Sequence, residues 1–262
     1  MRILAIETSC DETAVSLVET TGDFPDTHYE VLGNALYSQV STHAPYGGVY
    51  PSLAKREHSE NLVPILKSAL EEAELLETGS TDISAEQTSV IATYLEREPE
   101  LEQQLMAFLA EHNLPDIDLL AVTNGPGLEP ALWVGINFAR ALAEILKIPI
   151  IPANHMEGHI LASVYDAVED NVLAPVTFPA LSLLISGGHT ELILMKSWTE
   201  YEKVGQTRDD AVGEAFDKVA RLLGLPYPGG PEIEKRAKQA RKDNLPAFKE
   251  DMPRPMLHSP DL

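Results

Sequence analysis

Ile117 to Pro152, IDLLAVTNGPGLEPALWVGINFARALAEILKIPIIP, decides the fold class. Ile117 to Thr123 is a short apolar run of strand type, and Asn124-Gly125-Pro126-Gly127 is a turn. Apolar residues then recur at helical spacing from about Ala131 to Leu146, and Ile148 to Pro152 is a second strand. Strands alternating with helices of this length predict an α/β domain with a largely parallel sheet and helices on its faces.

Upstream, Ile3 to Glu7 and Ala14 to Glu19 are two strand-type runs around the polar turn Thr8-Ser9-Cys10-Asp11-Glu12-Thr13, which reads as a hairpin. A third strand is predicted near Val31 to Tyr37, and a helix from about Ser52 to Glu72 after the turn Tyr46-Gly47-Gly48-Val49-Tyr50-Pro51. Leu62, Ile65, Leu66 and Ala69 form its core stripe, and Pro64 within it predicts a kink or a break. Between about Thr78 and Asn113 the chain turns acidic, with a capping box at Ser84-Ala85-Glu86-Gln87 and a helix-starting Pro99. This segment reads as an inserted helical pair. Downstream, Ala180 to Ile185 and Glu191 to Met195 are strands around Ser186-Gly187-Gly188-His189-Thr190. A helix near Asp210 to Leu223 and the turn Pro226 to Pro231 follow, and Met256 to Leu262 has no clear pattern.

The chain has 262 residues, a net charge of -22 and one cysteine, Cys10. A single thiol builds neither a disulfide framework nor a thiolate metal cage, so a reducing, cytoplasmic setting is expected. No secretory leader and no apolar run long enough for a membrane span stand in the sequence, so no membrane association is expected. The charge is uneven. Twelve acidic residues face the single Arg97 between Glu71 and Asp116, whereas nine basic residues face five acidic ones between Lys218 and Arg254. The run Lys235-Arg236-Ala237-Lys238-Gln239-Ala240-Arg241-Lys242 is either a phosphate-facing helix or a solvated one.

His155-Met156-Glu157-Gly158-His159 places two imidazoles at i and i+4, where they share one helix face and can hold one ion. Glu157 does not share that face. Two nitrogens are an incomplete set; a third ligand of carboxylate type would suit iron, and zinc is possible. An ordinary surface pair is the alternative. The turns Thr8 to Thr13 and Ser186 to Thr190 each follow a strand, and their glycines, hydroxyls and carboxylates suit phosphate or cation contacts as well as plain turns. Asp210, Glu214 and Asp217 fall at helical spacing, which fits ribose binding or favourable charge at a helix start. No histidine near Cys10 supports a nucleophilic role for it, so it reads as a small buried thiol.

Taken in order, seven segments resemble the signatures of the TsaD family: Ile6-Glu7-Thr8-Ser9-Cys10-Asp11-Glu12-Thr13, Tyr46-Gly47-Gly48-Val49, Gly125-Pro126-Gly127-Leu128, His155-Met156-Glu157-Gly158-His159, Leu184-Ile185-Ser186-Gly187-Gly188-His189-Thr190, Gly213-Glu214-Ala215-Phe216-Asp217-Lys218 and Tyr227-Pro228-Gly229-Gly230-Pro231. The resemblance implies a two-lobed actin-like fold, related to ribonuclease H, with residues 1–152 as the N-terminal lobe, 78–113 as its helical insertion and 153–262 as the second lobe. It implies transfer of threonylcarbamoyl from threonylcarbamoyl-adenylate to N6 of adenosine 37 in tRNAs reading codons that start with A, with release of AMP. It further implies His155 and His159 as ligands of one Fe2+ (or zinc) ion, and Leu184, Ile185, Ser186, Gly187, Gly188, Asp217 and Gly230 as the adenylate site. Asp11, Glu12 and His189 are the implied catalytic positions. tRNA, TsaB-like and TsaE-like proteins are the implied partners.

The family pattern continues past a Pro-Arg-Pro segment to an Asn that contacts substrate and an Asp that completes the metal site. Neither motif follows Met252 to Pro255, so the second lobe is expected to be incomplete. The insertion is likewise outside the common pattern. An ATPase or kinase of the same fold, a metalloprotease built on the paired histidines and a non-catalytic scaffold of the modification complex are the alternative readings.

Overall fold

The computed structural model describes residues 1–166 and 171–245; the expected tail and Pro-Arg-Pro segment lie outside the described residues. Contacts divide the chain into one unit of Met1–His43 with Val49–Ala174 and another of Ala44–Gly48 with the residues from Pro175.

The first unit starts with β1 (Arg2–Glu7), β2 (Glu12–Thr21) and β3 (His28–Ser38), a short α1 (Val40–His43) and the long α2 (Pro51–Glu72). Then come β4 (Glu77–Thr78), α3 (Ala85–Tyr94), α4 (Pro99–Glu111) and β5 (His112–Asn113). β6 (Leu119–Gly125), α5 (Glu129–Leu146), β7 (Ile150–Asn154), α6 (His155–Val164), β8 (Tyr165–Asp166) and β9 (Val172–Leu173) complete it. Five strands form one sheet in the order β3-β2-β1-β6-β7. This is the ribonuclease H-like order.

The sheet is mixed rather than largely parallel. β1 runs parallel to β6 and β6 parallel to β7, but β1-β2 and β2-β3 are antiparallel. The reason is connection length: four residues join β1 to β2, too few for the crossover that parallel pairing needs. α2 and α5 cover one side, and Leu62, Leu66, Leu70, Phe138 and Leu142 are fully buried against Leu17 and Leu120 of the sheet. Each such leucine contributes about 1.5–3 kcal/mol through removal from water.

α2 runs unbroken across Pro64. Pro64 is on the exposed side of the helix, where the carbonyl that loses its amide partner is open to water, so the proline does not interrupt the element. The acidic segment forms α3 and α4, closed at its base by the β4-β5 pair. Its capping box is present: Ser84 accepts from the Gln87 amide, and Gln87 returns the bond. The acidic residues other than Glu98 face outward while Ile91, Leu95, Leu101, Leu105 and Leu109 enter the same core as α2 and α5. Two polar ties fix the segment further. Gln87 Nε2 donates to the Glu144 carbonyl at 2.8 Å, and Lys55 pairs with the almost fully buried Glu98 at 2.8 Å.

The second unit holds β10 (Ala180–Ile185), β11 (Thr190–Ser197) and β12 (Glu200–Gln206) in one antiparallel sheet, followed by α7 (Val212–Leu222) and α8 (Gly229–Lys242). Sequence reading misses β12, whose Glu200, Glu202 and Lys203 break the apolar alternation; an edge strand tolerates and even favours such charges. Leu184, Ile193 and Met195 are buried, whereas Leu181, Leu183 and Ile185 on the opposite face of β10 are exposed. Among the described residues no helix is long and apolar enough to cross a membrane.

Because the insertion shares the core, Leu105→Ala in α4 should destabilise the first unit by about 2–5 kcal/mol, like a core leucine of α5. Urea unfolding checks this, with Leu36→Ala, on an exposed leucine, as the control expected to stay within about 0.5 kcal/mol.

Candidate functional site

The parallel strands β1, β6 and β7 all end toward the same edge of the sheet, where α/β proteins place their ligands. Glu7 closes β1, Thr123 lies near the end of β6, and Asn154 ends β7. The Asn154 side chain accepts from the amides of Met156 at 2.9 Å and Glu157 at 3.3 Å, capping α6 so that His155 is its first residue. An asparagine before an apolar helical run is a cap signal that the sequence displays.

His155 is held from behind. Its Nδ1 stands 3.1 Å from Glu7 Oε2 and 3.1 Å from Ser9 Oγ. With Nδ1–H donating to the carboxylate, the free lone pair lies on Nε2, and that atom faces His159 Nε2 at 3.1 Å. Two nitrogens each about 2.0–2.1 Å from one ion stand about 3 Å apart, and a carboxylate behind one imidazole is the usual second support of a ligating histidine. The pair therefore fits a cation. Among the described residues no third His, Cys, Asp or Glu joins them in a metal-holding group.

Glu7 is the residue that motif reading passes over. Its Oε2 accepts from Thr123 Oγ1 at 2.6 Å as well as from His155, and its Oε1 accepts from the Ser9 amide. Burial alone would raise its pKa, but the hydrogen bonds from His155, Ser9 and Thr123 bring it down to about 2. The bond to Glu7 raises that of His155. The turn beyond carries the other carboxylates: burial and the charge of Asp11 push Glu12 up to about 7. Burial, then the charge of Asp11, pushes the Cys10 thiol up to about 12, so it is an inert thiol and no nucleophile. The turn lies tightly on α5 and its approach. A Cβ on Gly127 would stand 2.6 Å from the Ser9 carbonyl oxygen, and Thr8 Oγ1 donates to the Ala131 carbonyl at 3.0 Å.

In the second unit, Leu184 and Ile185 end β10 and lead into the turn from Ser186 to His189. The Ser186 amide donates to the His189 carbonyl at 2.8 Å, and the His189 amide donates to Ser186 Oγ at 3.0 Å. Gly187 and Gly188 are exposed, and a Cβ on either would meet no atom within 4 Å, so their backbone is accessible. Gly213, in the first turn of α7, packs on this hairpin so closely that a Cβ would meet the Ser186 carbonyl oxygen at 2.7 Å. Asp217 Oδ1 accepts from the Gly229 amide at 2.7 Å, which ties α7 to the start of α8, and Gly230 beside it is in open space. Asp210 and Glu214 both pair with Lys218, at 2.5 and 3.0 Å. The structure thus brings Glu7, Ser9, His155 and His159 together in one unit, and the Ser186 turn with the α7 start in the other. A cavity of about 620 Å³ bounded by Lys55, Tyr94, Arg97, Glu98, Trp133 and Arg140 holds none of the motif residues.

Glu7 has a folded-state pKa below its unfolded one, so it stabilises the fold above the unfolded value of about 4.3 and ceases to do so as pH falls toward its folded value. Glu7→Gln in the metal-free protein should cost about 1–3 kcal/mol at pH 7, and the difference from the unsubstituted protein should shrink below about pH 4. Urea unfolding between pH 3 and 8 measures both.

The profile of the TsaD family, tRNA N6-adenosine threonylcarbamoyltransferase, matches residues 30–93 and 94–261. The tRNA N6-adenosine threonylcarbamoyltransferase of Polynucleobacter necessarius subsp. necessarius (strain STIR1) is 41% identical over 264 residues, covering 100% of this chain, and the chain spans 60% of that relative's length. Among solved structures, YeaZ from Pseudomonas aeruginosa is 15% identical with a TM-score of 0.34, over 79% of this chain and 66% of that one. A Ppx/GppA family member from Aquifex aeolicus is 12% identical with a TM-score of 0.33, over 78% of this chain and 50% of that one. By its family profile and by its identity to that transferase, the chain belongs to the TsaD family.

Proposed function

We propose that this chain carries the metal and adenylate residues of a threonylcarbamoyl transfer to N6 of adenosine 37 in tRNA, with threonylcarbamoyl-adenylate as donor. The observation that carries the reading is the pair of facing Nε2 atoms of His155 and His159, 3.1 Å apart, with the His155 tautomer set by Glu7. In the reaction the adenine amine forms a bond to the carbamoyl carbon, the bond from that carbon to the phosphate oxygen breaks, and AMP leaves with the electron pair while N6 gives up a proton. An iron or zinc ion, which His155 and His159 would hold, would supply Lewis acidity to the transfer.

The remaining work belongs to the chain's own groups. His155 and His159 would hold the ion, with Glu7 and Ser9 orienting the first of them. The exposed backbone of Gly187 and Gly188, with Ser186 and His189, suits a phosphate bearing increasing negative charge as AMP departs. Leu184, Ile185, Asp217 and Gly230 are assigned to the adenylate, and Asp11 and Glu12 are the catalytic carboxylates that the family resemblance implies. Positioning carries much of the rate because an adenine amine is a weak nucleophile, and the target base must leave its stack to react. TsaB-like and TsaE-like proteins are the expected partners.

Two outcomes are expected. Co2+ titration should show one ion per chain, with the signal lost in His155→Ala and in His159→Ala; binding that persists in both variants would refute the assignment. The second concerns α8, which presents Lys235, Lys238 and Lys242 along one groove, with Lys238 also paired to Glu234 at 2.6 Å. Changing Lys235, Arg236, Lys238, Arg241 and Lys242 to serine should weaken tRNA binding in low-salt gel shifts and flatten its salt dependence, by about 0.7–0.9 in log–log slope for each phosphate no longer neutralised.

A further inference from the structure

We infer that His58 is a positioning residue for the paired histidines, acting through the Thr8–Thr13 turn. This rests on reading His155 and His159 as metal ligands.

His58 lies on α2, away from the motif residues in sequence, and is completely buried together with Thr13, Gln39 and His43. Its Nε2 is 3.1 Å from the Cys10 carbonyl oxygen, and its Nδ1 is 2.7 Å from Thr13 Oγ1. A carbonyl only accepts, so Nε2 carries the proton and Nδ1 accepts from the Thr13 hydroxyl. One imidazole thereby grips the turn at its middle and at its far shoulder. Gln39 Nε2 is 3.2 Å from His58 Nδ1 and 3.4 Å from its Nε2, Gln39 Oε1 accepts from His43 Nε2 at 3.0 Å, and His43 Nδ1 accepts from the Tyr50 amide at 3.3 Å. The Gln39 amide adds a third hold, donating to the Asp11 carbonyl at 2.8 Å.

The bond that Nδ1 accepts from the Thr13 hydroxyl needs a neutral imidazole at His58, and burial, the largest influence on that group, lowers its pKa. Loss of a partner in a cluster this buried leaves a polar group unsatisfied, so removing the His58 imidazole loosens the turn on the side of Cys10 and Thr13, where the Gln39 amide alone would still hold Asp11. The turn in its turn supplies Ser9, whose hydroxyl meets His155 Nδ1 and whose amide meets Glu7. Motion at Cys10 and Thr13 is therefore passed to the two groups that orient the His155 ring. Second supports of ligating histidines are worth about 10–100-fold in metal affinity.

The test uses the full chain and Co2+ or Zn2+ as the probe. His58→Leu should weaken metal binding by up to about 10-fold, the low end of the range for direct supports, at a temperature where unfolding curves show the variant fully folded. Hydrogen exchange of the amides from Ser9 to Thr13 should accelerate in its metal-free form. Thr13→Val, which removes one of the two grips, should do the same to a smaller degree, and it decides the matter if His58→Leu does not fold. A folded His58→Leu or Thr13→Val protein with unchanged affinity and unchanged exchange would overturn the inference, as would reduced stability with affinity intact. Failure of the underlying reading looks different: the unsubstituted protein and His155→Ala would then bind the probe alike, and the exchange rates alone would report whether His58 holds the turn.

Discussion

The carboxylate of Glu7 accepts hydrogen bonds from three separate parts of the chain: the Ser9 amide in the turn after β1, the Thr123 hydroxyl on β6 and the His155 ring at the start of α6. A carboxylate placed at the end of a central strand would be costly to bury without donors, and with them it remains ionised far below its ordinary range. The arrangement depends on the sheet order, because only parallel pairing of β1 with β6 and of β6 with β7 brings those three segments to one edge. The same interaction ties the architecture to the site, since it selects the His155 tautomer that turns Nε2 toward His159.

Around this point the unit is braced by buried polar groups as well as apolar ones. His58, Gln39 and His43 form a satisfied chain beneath the acidic turn, and Gly127 gives the backbone room to lie against Ser9. On the far side, the acidic segment of α3 and α4 joins the core through Ile91, Leu95, Leu101, Leu105 and Leu109. Apart from Glu98 its carboxylates face out, so a strongly acidic segment also extends the hydrophobic core of the first unit.

The second unit works by different means. Its turn from Ser186 to His189 is shaped by its own hydrogen bonds and by the close approach of Gly213, and Asp217 spends its carboxylate on the first amide of α8. That bond gives Asp217 a role in holding two helices together whether or not a ligand is present. The exposed backbone at Gly187 and Gly188 is what remains available for a ligand.

Most of the elements, though not β12, and the family are legible in the sequence alone. The strand and helix periods of 117–152, the capping box at Ser84 and the i, i+4 histidines are local signals, and each is read from residues a few positions apart. The order of seven motifs along the chain identified the TsaD family, which the profile match bears out. Tertiary structure alone decided what those elements build. Tertiary pairing joined the antiparallel hairpin of β1 and β2 to the parallel strands β6 and β7 in one sheet, and α2 passed through Pro64 because that proline faces solvent. Glu7 and His58 stayed hidden for one reason: their partners lie 148 and 45 residues away. A hydrogen bond across such a distance leaves no periodic trace in the chain; it exists only once folding has brought its donor and acceptor together.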